Sequence, residues 1–251
     1  MSGSVTAEVL LLAGVVFLLA GTVKGVLGIG LPTISISMLA QFVDPRVAIA
    51  LLLLPALITN SWQIYRGGQI KRSAQILWPF VVTMAVVMFV SALFAARTSV
   101  KVLVLGMGVM VVLWTITSFI RTPPQIPQHH ERKVLFGLGA VSGVMGGLTA
   151  MWSPPMIIYL LSIRCDKEDF VRFTGFMILC GTVPLTLGYI VNGLLDKTLA
   201  IASCLMIIPT LIGFSAGEYL RQYLGGKQFQ MAVLALFFLM GLNLIRRSFI
   251  S

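Results

Sequence analysis

The chain has 251 residues, of which 58% are hydrophobic and 10% charged, and its formal net charge is +10. A water-soluble domain carries roughly a quarter charged residues, so these proportions exclude an ordinary soluble fold and indicate a membrane protein. The basic excess lies in short loops between apolar segments, not in a patch interleaved with aromatics. That placement excludes a nucleic-acid partner and fits contact with membrane lipid.

Apolar segments are predicted at 8–40, 46–64, 75–95, 100–120, 133–163, 170–191, 197–217 and 229–247. The expected fold class is an all-α integral membrane protein. The first segment has no basic residue before Lys24, unlike a secretory signal, and is read as a retained membrane segment. A Pro-rich polar connector at 121–133 separates a first transmembrane repeat, 1–120, from a second, 134–251. Cys165, Cys180 and Cys204 show no CxxC spacing, and the only histidines, His129 and His130, fall in the connector. No metal site, cofactor or catalytic residue is therefore expected.

The two parts repeat one another. The first opens with Gly21-Thr-Val-Lys-Gly-Val-Leu-Gly-Ile-Gly-Leu-Pro32, the second with Gly139-Ala-Val-Ser-Gly-Val-Met-Gly-Gly-Leu-Thr-Ala-Met-Trp-Ser-Pro-Pro155. Both carry Gly-x-x-x-Gly-x-x-Gly, then a proline and an apolar run, then an acidic residue, Asp44 or Asp166. Internal duplication is common among transporters. Each opening segment holds about thirty apolar residues, or ~45 Å as one helix, against a ~30 Å hydrocarbon core. Two half-helices joined by a Gly-rich elbow, re-entrant or discontinuous, satisfy both the length and the breaks.

Loop charge discriminates between topologies. If every segment crosses once, the basic residues divide almost evenly between the two sides. If the two Gly-broken segments dip in and return, one side collects Arg66, Lys71, Arg72, Arg121, Arg132, Lys133, Arg164, Lys167, Arg172, Arg221 and Lys227. The other keeps only Arg46, Arg97, Lys101, Lys197, Arg246 and Arg247. The positive-inside rule then puts both termini outside. Three full crossings per half make the repeats inverted.

Candidate substrate-binding residues cluster at the elbows: Lys24, Gly25, Gly28, Gly30, Pro32 and Thr33 in the first, Gly143, Gly146, Gly147, Thr149, Trp152, Ser153 and Pro154 in the second. The glycines allow close backbone approach, although small residues at this spacing also serve helix packing. Pro32 and Pro154 suit a first helical turn, and Ser153 is placed as an N-cap. Helix N-termini at mid-membrane, facing each other, would present N–H groups to an anion. Lys24, the one basic residue deep in an apolar run, would either snorkel to an interface or draw an anion or proton to the elbow. Asn60 is a further candidate; Gln63, Thr182, Thr186 and Asn192 are similar polar positions, which interhelical hydrogen bonds would also explain.

The doubled motif, Gly21-x-x-Lys24-Gly25-x-x-Gly28-x-Gly30-x-Pro32 with Gly139-x-x-Ser-Gly143-x-x-Gly146-Gly147-Leu-Thr-x-x-x-x-Pro154-Pro155, resembles the sulfite exporter TauE/SafE family. The resemblance extends to Arg66-Gly67-Gly68-Gln69-Ile70 and to Asn192-Gly193. It implies a bacterial inner-membrane permease, drawn with eight membrane segments, for sulfur-containing anions such as sulfite, sulfoacetate or related organosulfonates. The family usually has glycine just before the Pro pair, where this chain has Trp152-Ser153, a departure that bears on which anion is carried. A membrane-embedded enzyme would need acids, histidines or a paired nucleophile that the apolar segments lack. A channel, or a permease for another small solute, is the alternative. No ATP-binding loop occurs, which leaves coupling to protons or sodium, or passive transport.

The charge split predicts a cytoplasmic connector and external termini. In a background without the three native cysteines, an impermeant thiol reagent applied from outside should label Ser251→Cys and spare Gln125→Cys. The reverse pattern would overturn this orientation.

Overall fold

The computed structural model describes residues 6–119, 125–221 and 226–250. Residues 121–124 of the expected connector lie outside the described residues. The helices are α1 (Ala7–Leu27), α2 (Leu31–Leu39), α3 (Pro45–Gly67), α4 (Ile70–Ala95), α5 (Val100–Phe119), α6 (Glu131–Thr149), α7 (Ser153–Ser162), α8 (Lys167–Val191), α9 (Lys197–Leu220) and α10 (Gly226–Ile250). Among the described residues there is no strand. A single 3-10 turn, Gln128–His130, leads into α6, so the last three residues assigned to the connector, 131–133, are helical instead. The turn presents the chain to α6 already wound, and the helix starts at Glu131, where an acid favours the N-terminal dipole.

Among the described residues five helices, α1, α3, α4, α8 and α9, are long and apolar enough to cross a membrane. Their outward faces are apolar as well. Val82, Val86, Val90 and Phe94 form a stripe along α4, and Ile201, Leu205, Ile208 and Ile212 a second along α9, all about half exposed. Spacing of three or four residues puts each set on one face of its helix. Such stripes would be costly in water and are at home in lipid.

Glycines fix how the helices approach. In α1 a Cβ on Gly21 would lie 2.4 Å from the Thr210 carbonyl oxygen, and one on Gly25 2.3 Å from that of Phe214. From the α9 side, Gly213 and Gly217 would each meet a carbonyl, of Leu18 and of Thr22, at 2.1 Å. Backbone therefore touches backbone along the α1–α9 seam, and the ascending pairs make the two helices parallel. The second motif repeats this on α4: Gly139 lies on Phe80, Gly143 on Met84 and Val87, and Gly147 on Met88 and Ser91. Lipid offers no hydrophobic drive for helix pairing, so such close packing is the main source of cohesion.

The other contacts complete the bundle. Helix α3 packs on α8 and α9, α4 on α8, and α5 on α10. Pro55 removes an N–H from the middle of α3, and Ser203 of α9 repairs the gap. Its hydroxyl donates to the Leu51 carbonyl at 3.0 Å and accepts the Leu54 N–H at 3.2 Å. At one end of the bundle Arg66 pairs with Glu218 at 2.9 Å, Arg72 with Asp169 at 2.9 Å and Arg172 with Asp169 at 3.1 Å. At the other end Arg46 donates to the carbonyls of Ala95 and Thr98, and Arg247 to those of Ala40 and Gln41.

The α1–α9 seam gives a direct test. Gly217→Ala puts a methyl group against the Thr22 carbonyl and should cost about 1–3 kcal/mol, as overpacking does. Gly14→Ala, with nothing within 4 Å, should be neutral. Thermal unfolding in detergent would compare them, and equal midpoints would refute backbone contact at the seam.

Candidate functional site

Helix α1 ends where Gly28 takes a left-handed conformation, φ +80°, and its N–H caps the Lys24 carbonyl at 2.7 Å. Gly30, at φ +106°, then occupies the N-cap position of α2. These are conformations that side chains disfavour. In the second motif the same device ends α6, but with Ala150 at φ 54°, whose N–H caps the Gly146 carbonyl at 2.8 Å. Alanine carries no signal for such a turn, so its role was invisible in the sequence.

Lys24 sits one turn before the first elbow and is 1% exposed, so it does not snorkel. Its ammonium donates to the Thr59 hydroxyl at 3.1 Å and to the Asn60 Oδ1 at 2.5 Å, both on α3. These acceptors are themselves held. The Thr59 hydroxyl donates to the Pro55 carbonyl and Asn60 Nδ2 to that of Ala56, at 2.8 and 2.7 Å. Proline 55 leads into this turn, and residues 59 and 60 follow on the face that meets α1. Among the described residues no carboxylate pairs with Lys24. The Lys24 side chain is thus held by neutral dipoles on α3.

Lys24, Gly25 and Gly28 line a cavity of about 600 Å³ that also reaches Gln63, Arg66, Arg172 and Arg221. The cavity opens toward the end of the bundle where Arg66 and Glu218 pair. Gln63 Nε2 donates to the Val171 carbonyl at 2.8 Å and weakly to that of Gly28 at 3.4 Å, tying α3 to α8 and to the elbow. Arg172 Nε donates to the Gly67 carbonyl at 2.8 Å. Glu168 and Glu218 line the mouth as well and pair with Arg172 and Arg66, so the mouth mixes both signs with basic residues in excess, and the Lys24 amine lies deeper.

The remaining predicted residues sort differently. Gly25, Gly143 and Gly147 all take part in close helix packing, and Gly25 faces the cavity as well. Gly146 lies against Met88 and Trp152. Pro32 and Thr33 are buried in the first turn of α2. The Thr149 hydroxyl donates to the Met145 carbonyl and accepts the Met151 N–H, holding the second elbow. Trp152 is buried between Gly146 and Gly181, with its indole N–H unpartnered. Thr182 and Thr186 donate to carbonyls of their own helix, and Asn192 to those of Gly188 and Ala92.

One expectation needs correction. Ser153 is not an N-cap: it is the first residue of α7, and Trp152 stands at the cap position without a side-chain cap bond. Pro154 and Pro155 remove two N–H groups from that first turn, so a serine oxygen has little there to accept. Helix α2 packs on α1, α3, α5 and α10, and α7 on α5, α6 and α8, which leaves α5 as the element common to both. Sequence inspection missed Thr59 and the arginines at the mouth. Thr59 could have been found as the neighbour of Asn60 on α3, whereas the arginines read as loop charge.

The family described as Sulfite exporter TauE/SafE matches the chain over residues 13–244. No curated protein and no solved structure matches.

The Lys24 contacts predict an energetic coupling. Asn60→Leu should cost about 1.5–3 kcal/mol, the range for hydrogen bonds to charged groups. In a Lys24→Met background the same change should cost clearly less, because no charge is left without its partner. A double-mutant cycle on thermal stability measures this. Equal costs in both backgrounds would mean that Asn60 does not solvate the ammonium.

Proposed function

The chain belongs to the sulfite exporter TauE/SafE family, a family of membrane transporters, and from that membership and the Lys24 cavity we infer that it is a secondary transporter of small sulfur-containing anions. Sulfite and organosulfonates such as sulfoacetate are the proposed substrates. The observation that carries this function is the ammonium of Lys24, buried, without a carboxylate partner among the described residues, and lining a cavity whose three arginines outnumber its two glutamates. A charge at membrane depth costs about 2.5 kcal/mol or more on insertion scales. A position that only packed would have no reason to carry that cost.

The proposed transport path runs between the two Gly/Pro stretches, 25–33 and 143–154, at mid-membrane. What supports it is the course of the chain. Helix α1 runs parallel to α9 and α3, and α2 then returns to the end where Arg247 binds the Ala40 and Gln41 carbonyls. Helix α6 runs parallel to α4, and α7 returns until the Tyr159 hydroxyl donates to Glu131 at the start of α6, at 3.0 Å. The first pair opens toward one end of the bundle and the second toward the other. Packing is exchanged in the same sense: α1 on α9, α6 on α4, α3 on α8 and α5 on α10. Re-entrant openings in inverted repeats account for both patterns.

In this arrangement the arginine-rich mouth is cytoplasmic, the protein sits in the bacterial inner membrane, and protons or sodium supply any coupling. A site between inverted repeats is the usual setting for alternating access, which favours a transporter over a channel.

Uptake of labelled sulfite, sulfoacetate and thiosulfate into proteoliposomes, with and without a pH gradient, tests the function. Lys24→Met keeps the apolar stem and removes the charge; it should reduce uptake at least tenfold. Lys24→Arg should retain part of it. A methionine variant that transports like the wild type would remove Lys24 from the anion path.

A further inference from the structure

A second cavity, of about 390 Å³, lies where the start of α6 meets α4 and the end of α7, and it shares no lining residue with the Lys24 cavity. Gln75 and Trp78 of α4, Glu131 and Arg132 of α6, and Tyr159 of α7 line it. Glu131 Oε1 accepts the Tyr159 hydroxyl at 3.0 Å, and Oε2 receives no hydrogen bond among the described residues. Arg132 is exposed, and among the described residues neither it nor Glu131 enters an ion pair. An acid and a base thus stand side by side on one wall, unpaired with each other or with a neighbour.

This cavity stands at the head of a lipid-facing surface. Trp78 lies four residues before Val82, so it continues the exposed α4 stripe of Val82, Val86, Val90 and Phe94. Phe136, one turn after Arg132, meets Trp78 edge-on with ring centroids 5.7 Å apart, and both rings are nearly half exposed. Aromatic rings so placed mark the boundary between headgroups and hydrocarbon. From Trp78 to Phe94 the stripe runs ~24 Å at 1.5 Å per residue, more than the half of a ~30 Å core that one acyl chain occupies.

We infer that this cavity binds a phospholipid whose headgroup carries a primary ammonium beside its phosphate, a phosphatidylethanolamine. Arg132 takes the phosphate oxygens, Glu131 takes the ammonium, and the stripe below Trp78 takes an acyl chain. The ammonium can donate to Glu131 Oε2, whereas a choline headgroup has no N–H to give. A purely anionic headgroup satisfies Arg132 but sets its charge against Glu131. Tyr159 holds the carboxylate in place from α7, so the lipid would brace the junction of α4, α6 and α7.

Native mass spectrometry of the detergent-purified protein, titrated with phosphatidylethanolamine, phosphatidylcholine and phosphatidylglycerol of identical acyl chains, tests this. On the wild type the ethanolamine lipid should bind about tenfold tighter than the choline lipid, the factor expected of one hydrogen bond to a charged group. It should also bind tighter than the glycerol lipid. Glu131→Gln keeps an oxygen for the Tyr159 hydroxyl and removes the charge, so it should bring the ethanolamine and choline lipids together. Arg132→Gln should weaken both and preserve their order. Glycerophosphoethanolamine, the headgroup without acyl chains, should fail to displace the lipid at equal concentration; displacement would mean a site for a soluble phosphate ester and overturn the lipid. Equal binding of the three lipids on the wild type, a preference for the glycerol lipid, or an unchanged order in Glu131→Gln overturns the inference. The wild-type order alone can fail it, whether or not a variant folds.

Discussion

Contact between bare backbones, at the α1–α9 and α4–α6 seams, is the constraint on which the rest of this structure depends. Gly21, Gly25, Gly213 and Gly217 leave no room for a side chain, so the two helices lie as close as main chains allow. Because the seam continues to Gly25, it fixes the height and rotation of the last turn of α1. Lys24 then has one direction available, toward α3, where Thr59 and Asn60 receive it. A looser seam would let the ammonium swing to the wider mouth and find water. The same glycines thus serve cohesion directly and the charge indirectly, and packing and binding are not alternatives at Gly25.

The polar interior follows one rule, that every backbone or side-chain group deprived of water must find a partner. Ser203 fills the gap left by Pro55, and Gly28 and Ala150 fold their own N–H groups onto the ends of α1 and α6. The few exceptions are therefore informative. Three buried side-chain atoms among the described residues have no partner: Gln63 Oε1, the Trp152 indole nitrogen, whose ring packs against Gly146 and Gly181, and the Tyr189 hydroxyl.

Much of the frame was legible in the sequence, because glycine and proline announce themselves. The doubled Gly-x-x-x-Gly-x-x-Gly with its following proline falls where α1 and α6 end and α2 and α7 begin, and Asp44 and Asp166 stand at the caps of α3 and α8. The site was less legible. That Lys24 is buried, and not snorkelling, depends on which way one turn faces, and sequence gives no rotation about a uniformly apolar helix. Gly143 and Gly147 look like elbow residues but lie on α4, since the same spacing serves both purposes. Ser153 failed as a cap because the two prolines after it had already removed the groups a cap would serve. What Gln63 bonds to depends on carbonyls that α8 and the elbow bring to it.

The exchange of partners between the two parts of the chain also bears on how the protein is made. Helix α1 is complete at Leu27, yet the helix it packs on, α9, begins at Lys197. At about 5–20 residues per second of synthesis, that interval is roughly eight to thirty-four seconds. Throughout it the α1 glycine stripe must face lipid or another temporary neighbour, and the α3 turn around Pro55 must wait for Ser203. Assembly of the Lys24 pocket is thus a late event, tied to the second-last helix to emerge. The first part of the chain on its own would insert with its central cation in place but without the α9 backbone that holds it there.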